Sequence, residues 1–192
     1  MQTRFEADQH RYYIDERPVP SVTQVLSDLI PGWKASEWYL ERGQAVHAAA
    51  AFIARKVEFD SDDRISGQVN AILKFFAEVR PVVKGVEVKV FSSGYQYAGT
   101  LDLLTDKTIV DYKASLTPAT PYQIAGYALA LEGEKGVKIN RGIAVEIRED
   151  GTYHMSEPYD LRLYRQGWLA LLTAYGIRRK CKIKEETQKE GE

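Results

Sequence analysis

The sequence predicts one α/β (α+β) domain in which helices flank a central mixed β-sheet. Three observations carry that expectation. Helical periodicity dominates up to residue 80, three short β-branched-rich runs follow between residues 82 and 113, and helix and strand patterns then alternate. The 192 residues suit a single core, so residues 1–179 read as one domain, with helices and a hairpin in 1–80, the sheet and its helices in 81–179, and a charged tail in 180–192.

The elements follow in chain order. Arg4 to Glu16 contains two strand-like runs, RFEAD and RYYID, joined around Gln9 and His10, which predicts a hairpin. Ser21-Val22-Thr23-Gln24 matches a capping box ahead of Val25, Leu26, Leu29 and Ile30, so a helix starts there and stops at Pro31-Gly32. Lys34 to Lys56 is dense in helix formers, with Val46, Ala49, Ala50 and Ile53 at helical spacing and His47 one turn after Gly43. Ile65 to Arg80 places Val69, Ile72, Leu73, Phe76 and Val79 on one helical stripe. VVKGVEVKVF, YAGTLDLL and TIVDYK then read as neighbouring strands, Pro121 to Glu132 as a helix and Ile139 to Ile147 as a strand with a turn near Asp150-Gly151. A last helix runs from Leu161 to about Arg179, and KCKIKEETQKEGE beyond it is too charged to hold structure.

Composition narrows the function classes. An apolar fraction of 44% and a charged fraction of 28% describe an ordinary soluble protein. With 26 basic against 27 acidic residues the net charge is −1, so any nucleic-acid binding must use a local patch. No segment nears the roughly 20 apolar residues of a membrane span. The single cysteine, Cys181, can hold neither an internal disulfide nor an iron–sulfur cluster, and points to a reducing, cytoplasmic setting.

The chemistry-bearing residues concentrate in the strand region. In a strand, residues two apart share a face, so Asp111 and Lys113 point one way while Val110 and Tyr112 point the other. Asp102 lies on the preceding strand across the Thr105-Asp106-Lys107 turn. A turn centred on Asp106 pairs Leu103 with Ile109 and leaves Asp102 near Val110 or Asp111. Adjacent carboxylates repel unless a cation sits between them, and carboxylate oxygens suit Mg2+ or Mn2+, which activates water and neutralises phosphoryl charge. Lys113 beside them can stabilise developing negative charge. Glu87 is a third acidic candidate; its face carries Lys89 and Phe91, with Val86, Val88 and Val90 on the buried side.

Gly99-Thr100-Leu101-Asp102, with Asp111-Tyr112-Lys113 beginning nine positions after Asp102, resembles the signature of the PD-(D/E)XK (restriction-endonuclease-like) nucleases. Arg42-Gly43 with Val46-His47 resembles the helix-borne histidine motif of the RecB-like branch, Gln123 to Tyr127 its QxxxY motif, and Pro20-Ser21-Val22-Thr23 the opening of its phage-type and mitochondrial-maintenance exonucleases. Leu101 stands where the name-giving proline would be, and the four-cysteine cluster of many RecB-type relatives is missing. The resemblance implies metal ligation by His47, Asp102, Asp111 and the Tyr112 carbonyl, catalysis by Asp102, Asp111 and Lys113 with Glu87 assisting, and support of DNA or of the lysine by Gln123, Tyr127 and Arg42. It implies a Mg2+- or Mn2+-dependent DNA exonuclease of recombination, repair or replication. A recombination or replication protein is a possible partner; a structure-specific endonuclease and a non-catalytic DNA-binding subunit are the rival readings.

Several features have plain alternatives. Asp-x-Lys on a strand is by itself what a solvated ion pair produces; Gly-Thr-x-Asp before it and Gln-x-x-x-Tyr after it make the joint pattern specific. The basic run Arg178, Arg179, Lys180, Lys182, Lys184 either follows a nucleic-acid backbone or merely solvates the tail, and Trp33, Trp38 and Tyr39 either stack on unpaired bases or belong to the core.

Overall fold

The computed structural model describes residues 2–30 and 37–189, excepting the side chains of 37–40 and 183–189. An N-terminal sheet of β1 (Thr3–Glu6), β2 (Arg11–Ile14) and β3 (Arg17–Val19) is followed by helices α1 (Val22–Leu29), α2 (Glu37–Arg55) and α3 (Ser66–Val79). The hairpin expected at the start thus gains a third strand. The main sheet comprises β4 (Val83–Ser92), β5 (Tyr97–Thr105), β6 (Thr108–Lys113), β7 (Arg141–Ile147) and β8 (Tyr153–Met155), in that spatial order, with β9 (Tyr159–Asp160) also on β7. Its pairs are antiparallel except β6 with β7, which α4 (Thr120–Lys135) connects. The sheet is mixed and flanked by helices, as the sequence predicts.

Helix α1 carries the capping box: Gln24 N–H donates to Ser21 Oγ (3.0 Å) and Ser21 N–H donates to Gln24 Oε1 (2.8 Å). Val22, Val25 and Leu26 are its buried face. The residue before the cap, Pro20, accepts a hydrogen bond from Ala98 N–H at 3.0 Å, which ties the Pro-Ser-Val-Thr segment to the strand bearing Gly99 and Thr100. The helix stop at Pro31-Gly32 and Trp33 lie outside the described residues, as do the side chains of Trp38 and Tyr39.

One face of the sheet packs against α1, α4 and the last helix, α5 (Leu161–Lys189), around Val90, Tyr97, Leu101, Ile109, Tyr127 and Trp168. The other is covered at one end by α2 and α3, around Ala50, Phe75, Leu103, Val110 and Tyr112, and at the other by the N-terminal sheet, around Tyr12, Ile14 and Phe91. Helix α4 is buried almost all round because it sits between sheet and helices. On α3 the buried stripe is Gln68, Val69, Ala71, Ile72 and Phe75; Leu73, placed inside by its spacing, is 49% exposed because the helix turns Phe75 to the sheet instead.

Two further expectations are corrected. Helix α5 continues to Lys189, so residues 180–189 of the charged segment are helical rather than frayed; Asp28 on α1 pairs with Arg178 (3.5 Å) and Lys182 (3.2 Å), so these cations of the basic run dock the helix on α1. Val86, Val88 and Val90 do not share one face either. Val88 and Val90 pack with the α1/α4 core, whereas Val86 packs with the α2/α3 core. Between them Glu87 adopts φ +54°, and on the paired strand Leu101 and Leu103 likewise join opposite cores. Strict alternation breaks in both strands at Glu87 and Asp102.

Gly99 permits one close approach. A Cβ there would lie 2.6 Å from Cε1 of the Tyr127 ring and 3.3 Å from Val22. That ring is held by Gln123, whose Nε2 donates to the Tyr127 hydroxyl at 2.9 Å. Gly99→Ala is expected to destabilise the fold by about 1–3 kcal/mol through overpacking, lowering Tm by about 2–4 °C per kcal/mol. Calorimetric melting checks it, and an unchanged Tm contradicts it.

Candidate metal centre

The break in alternation turns Glu87 and Asp102 toward α2. There His47 meets Asp102 with Nδ1 3.0 Å from Oδ1, and one ligand atom from each of His47, Glu87 and Asp102 falls within 4.8 Å of the others. Asp102 is 8% exposed and its second oxygen accepts the Tyr112 N–H at 2.7 Å. This last bond explains how β5 and β6 part. Their ladder pairs Leu103 with Val110 and Leu104 with Ile109, one residue off the symmetric turn read from the sequence, and Asp102 then substitutes its carboxylate for the next backbone acceptor.

Asp111 and Lys113 form an ion pair of 2.5 Å, with Asp111 2% exposed. Val110 and Tyr112 pack into the α2/α3 core and alternate with Asp111 and Lys113, and Lys113, at the strand's end, reaches the cleft that His47 lines. The compact donor cluster therefore contains Glu87 and not Asp111, whose carboxylate is engaged by the lysine. Gln123 and Tyr127 are buried at 4% each and turn their polar ends toward each other, leaving Gln123 Oε1 without a hydrogen-bond partner among the described residues. Arg42 pairs with Glu149 at the mouth of a cleft of about 350 Å3 that His47, Gln68, Lys113 and Arg148 also line. Gln68 went unremarked in the sequence, though a polar residue beside the apolar stripe of α3 was a signal that the stripe meets something polar.

The electrostatics reflect crowded charge. Burial acts to raise the Asp102 carboxyl, but His47, Lys113 and the Tyr112 N–H outweigh it and hold it below the usual carboxylate range. Burial acts to lower the His47 imidazole, yet the charge and hydrogen bond of Asp102 hold it above its usual value. Burial pushes the Asp111 carboxyl up, with Lys113 opposing and Asp102 reinforcing the shift. Glu87 is raised by burial and by Asp102, against His47, Lys89 and Arg55.

These directions fix a pH dependence. His47, with its raised value, stabilises the metal-free fold below its ordinary 6.5 and loses that contribution as pH rises through the folded value. Glu87, also raised, gains nothing from ionising on folding. A cation ligated by both must displace protons from groups that hold them tightly, so its affinity rises with pH. The Mn2+-induced rise in Tm is expected to grow from pH 6 to pH 8.5, and thermal melts with and without Mn2+ across that range check it; a shift independent of pH contradicts it.

No protein-family model matches this chain, and no curated protein sequence does. Among solved structures, LHK-Exo in complex with dAMP superposes with a TM-score of 0.51 at 12% sequence identity, over 90% of this chain and 93% of that one. The two chains share a fold. An alkaline exonuclease, LHK-Exo from Laribacter hongkongensis, is also similar, with a TM-score of 0.48 at 12% identity over 89% of this chain and 92% of that one. Among the described residues no helix is long and apolar enough to cross a membrane.

Proposed function

We propose that this chain is a metal-dependent deoxyribonuclease that hydrolyses phosphodiester bonds from DNA ends, single-stranded ends being favoured, in recombination, repair or replication of the phage or bacterial type. The observation that carries the reading is the convergence of His47, Glu87 and Asp102 within 4.8 Å, beside the Asp111–Lys113 pair. The fold shared with an exonuclease that binds dAMP, a deoxynucleoside monophosphate of the kind DNA digestion releases, supports it.

The donor set fits a divalent cation. Two carboxylates favour Mg2+ or Mn2+, and an imidazole nitrogen shifts the balance toward Mn2+. His47, Glu87 and Asp102 would hold the ion, with Asp111 and the Tyr112 carbonyl as further ligands. When bound, it would acidify a water and neutralise phosphoryl charge. The protein's own groups divide the remaining work. Lys113, beside Asp111, would stabilise charge developing on the phosphate; Tyr112 N–H holds one oxygen of Asp102, and the other, which meets His47, would ligate; Gln123 and Tyr127 would support the strand end; Arg42, lining the cleft, would meet an incoming DNA backbone.

Digestion of end-labelled linear and circular DNA, single- and double-stranded, with wild type and Asp111→Ala tests the reading. Loss of linear DNA alone, abolished by the substitution, is the expected result, and Mn2+ should support activity at least as well as Mg2+. Nicking of circles would favour a structure-specific endonuclease. Inactivity on DNA and RNA would leave a DNA-binding subunit.

A further inference from the structure

We propose that Lys89, with Thr100 beside it, binds the phosphodiester adjacent to the one at the His47–Glu87–Asp102 cluster, so that the N-terminal sheet forms a wall of the substrate path. The inference rests on the nuclease reading and extends it to a part of the molecule that reading does not use.

The argument starts from strand register. Lys89 lies two residues beyond Glu87 on β4 and pairs with Thr100, which lies two residues before Asp102 on β5. Residues two apart on a strand share a face and are separated by about 6.6 Å, comparable with one step between phosphates along an extended single strand. The Lys89–Thr100 row is therefore the next row along the face that carries the metal cluster. One row further, Phe91 is buried with Tyr12, Ile14 and Val19 under the N-terminal sheet, so this row is the strip of face between cluster and wall.

The wall itself is ordered by aromatic contacts. Phe5 lies 4.7 Å from Tyr12 and 5.2 Å from His10, ring centre to ring centre, and the Tyr12 hydroxyl is hydrogen-bonded to Thr100 Oγ1 at 2.8 Å. Lys89 sits against this wall with its ammonium 5.1 Å from the Phe5 ring centre and donating to the Glu87 carbonyl at 3.2 Å. Among the described residues no carboxylate lies within ion-pair distance of that ammonium. A half-buried cation with donors to spare, beside a hydroxyl and one strand step from a carboxylate-rich metal cluster, matches an anionic oxygen of a nucleic-acid backbone.

The test uses single-stranded oligonucleotides of unmodified DNA and a set in which one linkage at a time is a neutral methylphosphonate. Lys89→Gln is expected to raise KM about tenfold, with kcat less affected, and to reduce the salt dependence of binding by about one counterion. In wild type, neutralising one linkage next to the scissile bond is expected to cost a similar factor, and the same linkage should cost Lys89→Gln nothing further. Lys89→Arg should recover most of the loss. Unchanged KM and salt slope in Lys89→Gln overturn the proposal, as does a neutral-linkage penalty equal in both proteins. Should Lys89→Gln fail to fold, shown by loss of a cooperative thermal transition, the wild-type linkage scan with Lys89→Arg decides: insensitivity at every flanking linkage overturns it. Wild type that cleaves no unmodified DNA overturns the nuclease reading itself, a result distinct from all of these.

Discussion

Lys113→Ala is expected to lower turnover by about 10^2–10^3 while leaving Mn2+ affinity within a few-fold of wild type. The lysine touches Asp111 at 2.5 Å and stands outside the His47–Glu87–Asp102 cluster, so its removal takes charge from the reaction without taking a ligand from the ion. Its loss also leaves a carboxylate that is 2% exposed without a partner, which costs on the order of 3 kcal/mol in the metal-free protein. Part of that cost is relieved as Asp111 takes up a proton, since its folded value is already raised by burial. Saturating Mn2+ should return most of the lost Tm. Calorimetric titration paired with a cleavage assay reads both quantities, and a collapse of Mn2+ affinity alongside turnover would make the lysine a structural residue.

Asp102→Asn should have the larger effect on the ion. Asp102 holds two partners at once, Tyr112 N–H on one oxygen and His47 on the other, and contributes a ligand atom to the cluster. The carboxamide keeps an acceptor for Tyr112 but replaces an anionic oxygen with an NH2 group that cannot ligate, so Mn2+ affinity is expected to fall by at least about 100-fold and activity with it. Asp102→Ala separates ligation from folding. It leaves the buried Tyr112 N–H without an acceptor and should melt below Asp102→Asn by the equivalent of about 1–3 kcal/mol, although both are equally poor at binding the ion. Equal melting temperatures for the two variants would mean that the strand end does not depend on that hydrogen bond.

These expectations depend on different kinds of information. The helix at Ser21 was legible because a capping box is a local device: its partners are three residues apart and carry their geometry with them. The strands of Glu87, Asp102 and Asp111 were legible from β-branched composition and intervening turns, and Asp111 and Lys113 from period-two spacing. Symmetry about the turn left Asp102 opposite Val110 or Asp111, and the ladder, pairing Leu103 with Val110, takes the second because Asp102 caps it. The arrangement of Val86, Val88 and Val90 was misread for a related reason. A left-handed residue at Glu87 is unusual for an L side chain, and nothing in VEVKV announces it. The basic run of α5 was read as solvating or backbone-binding because Asp28, which fixes two of its cations, lies about 150 residues away along the chain.

The sequence by itself determined the class of fold, the order of its main helices and strands, though not the short strands β3 and β9, and the residue types available for chemistry, because those follow from periodicity, capping and turn residues acting over a few positions. Tertiary structure decided which of these residues meet. It brought Glu87 into the cluster with His47 and Asp102, set the other Asp102 oxygen against the Tyr112 N–H, and placed Lys89 against the N-terminal sheet. Each of those meetings joins residues on different elements, or on a strand whose alternation is broken, and only the packing of both faces of the sheet fixes where such side chains point.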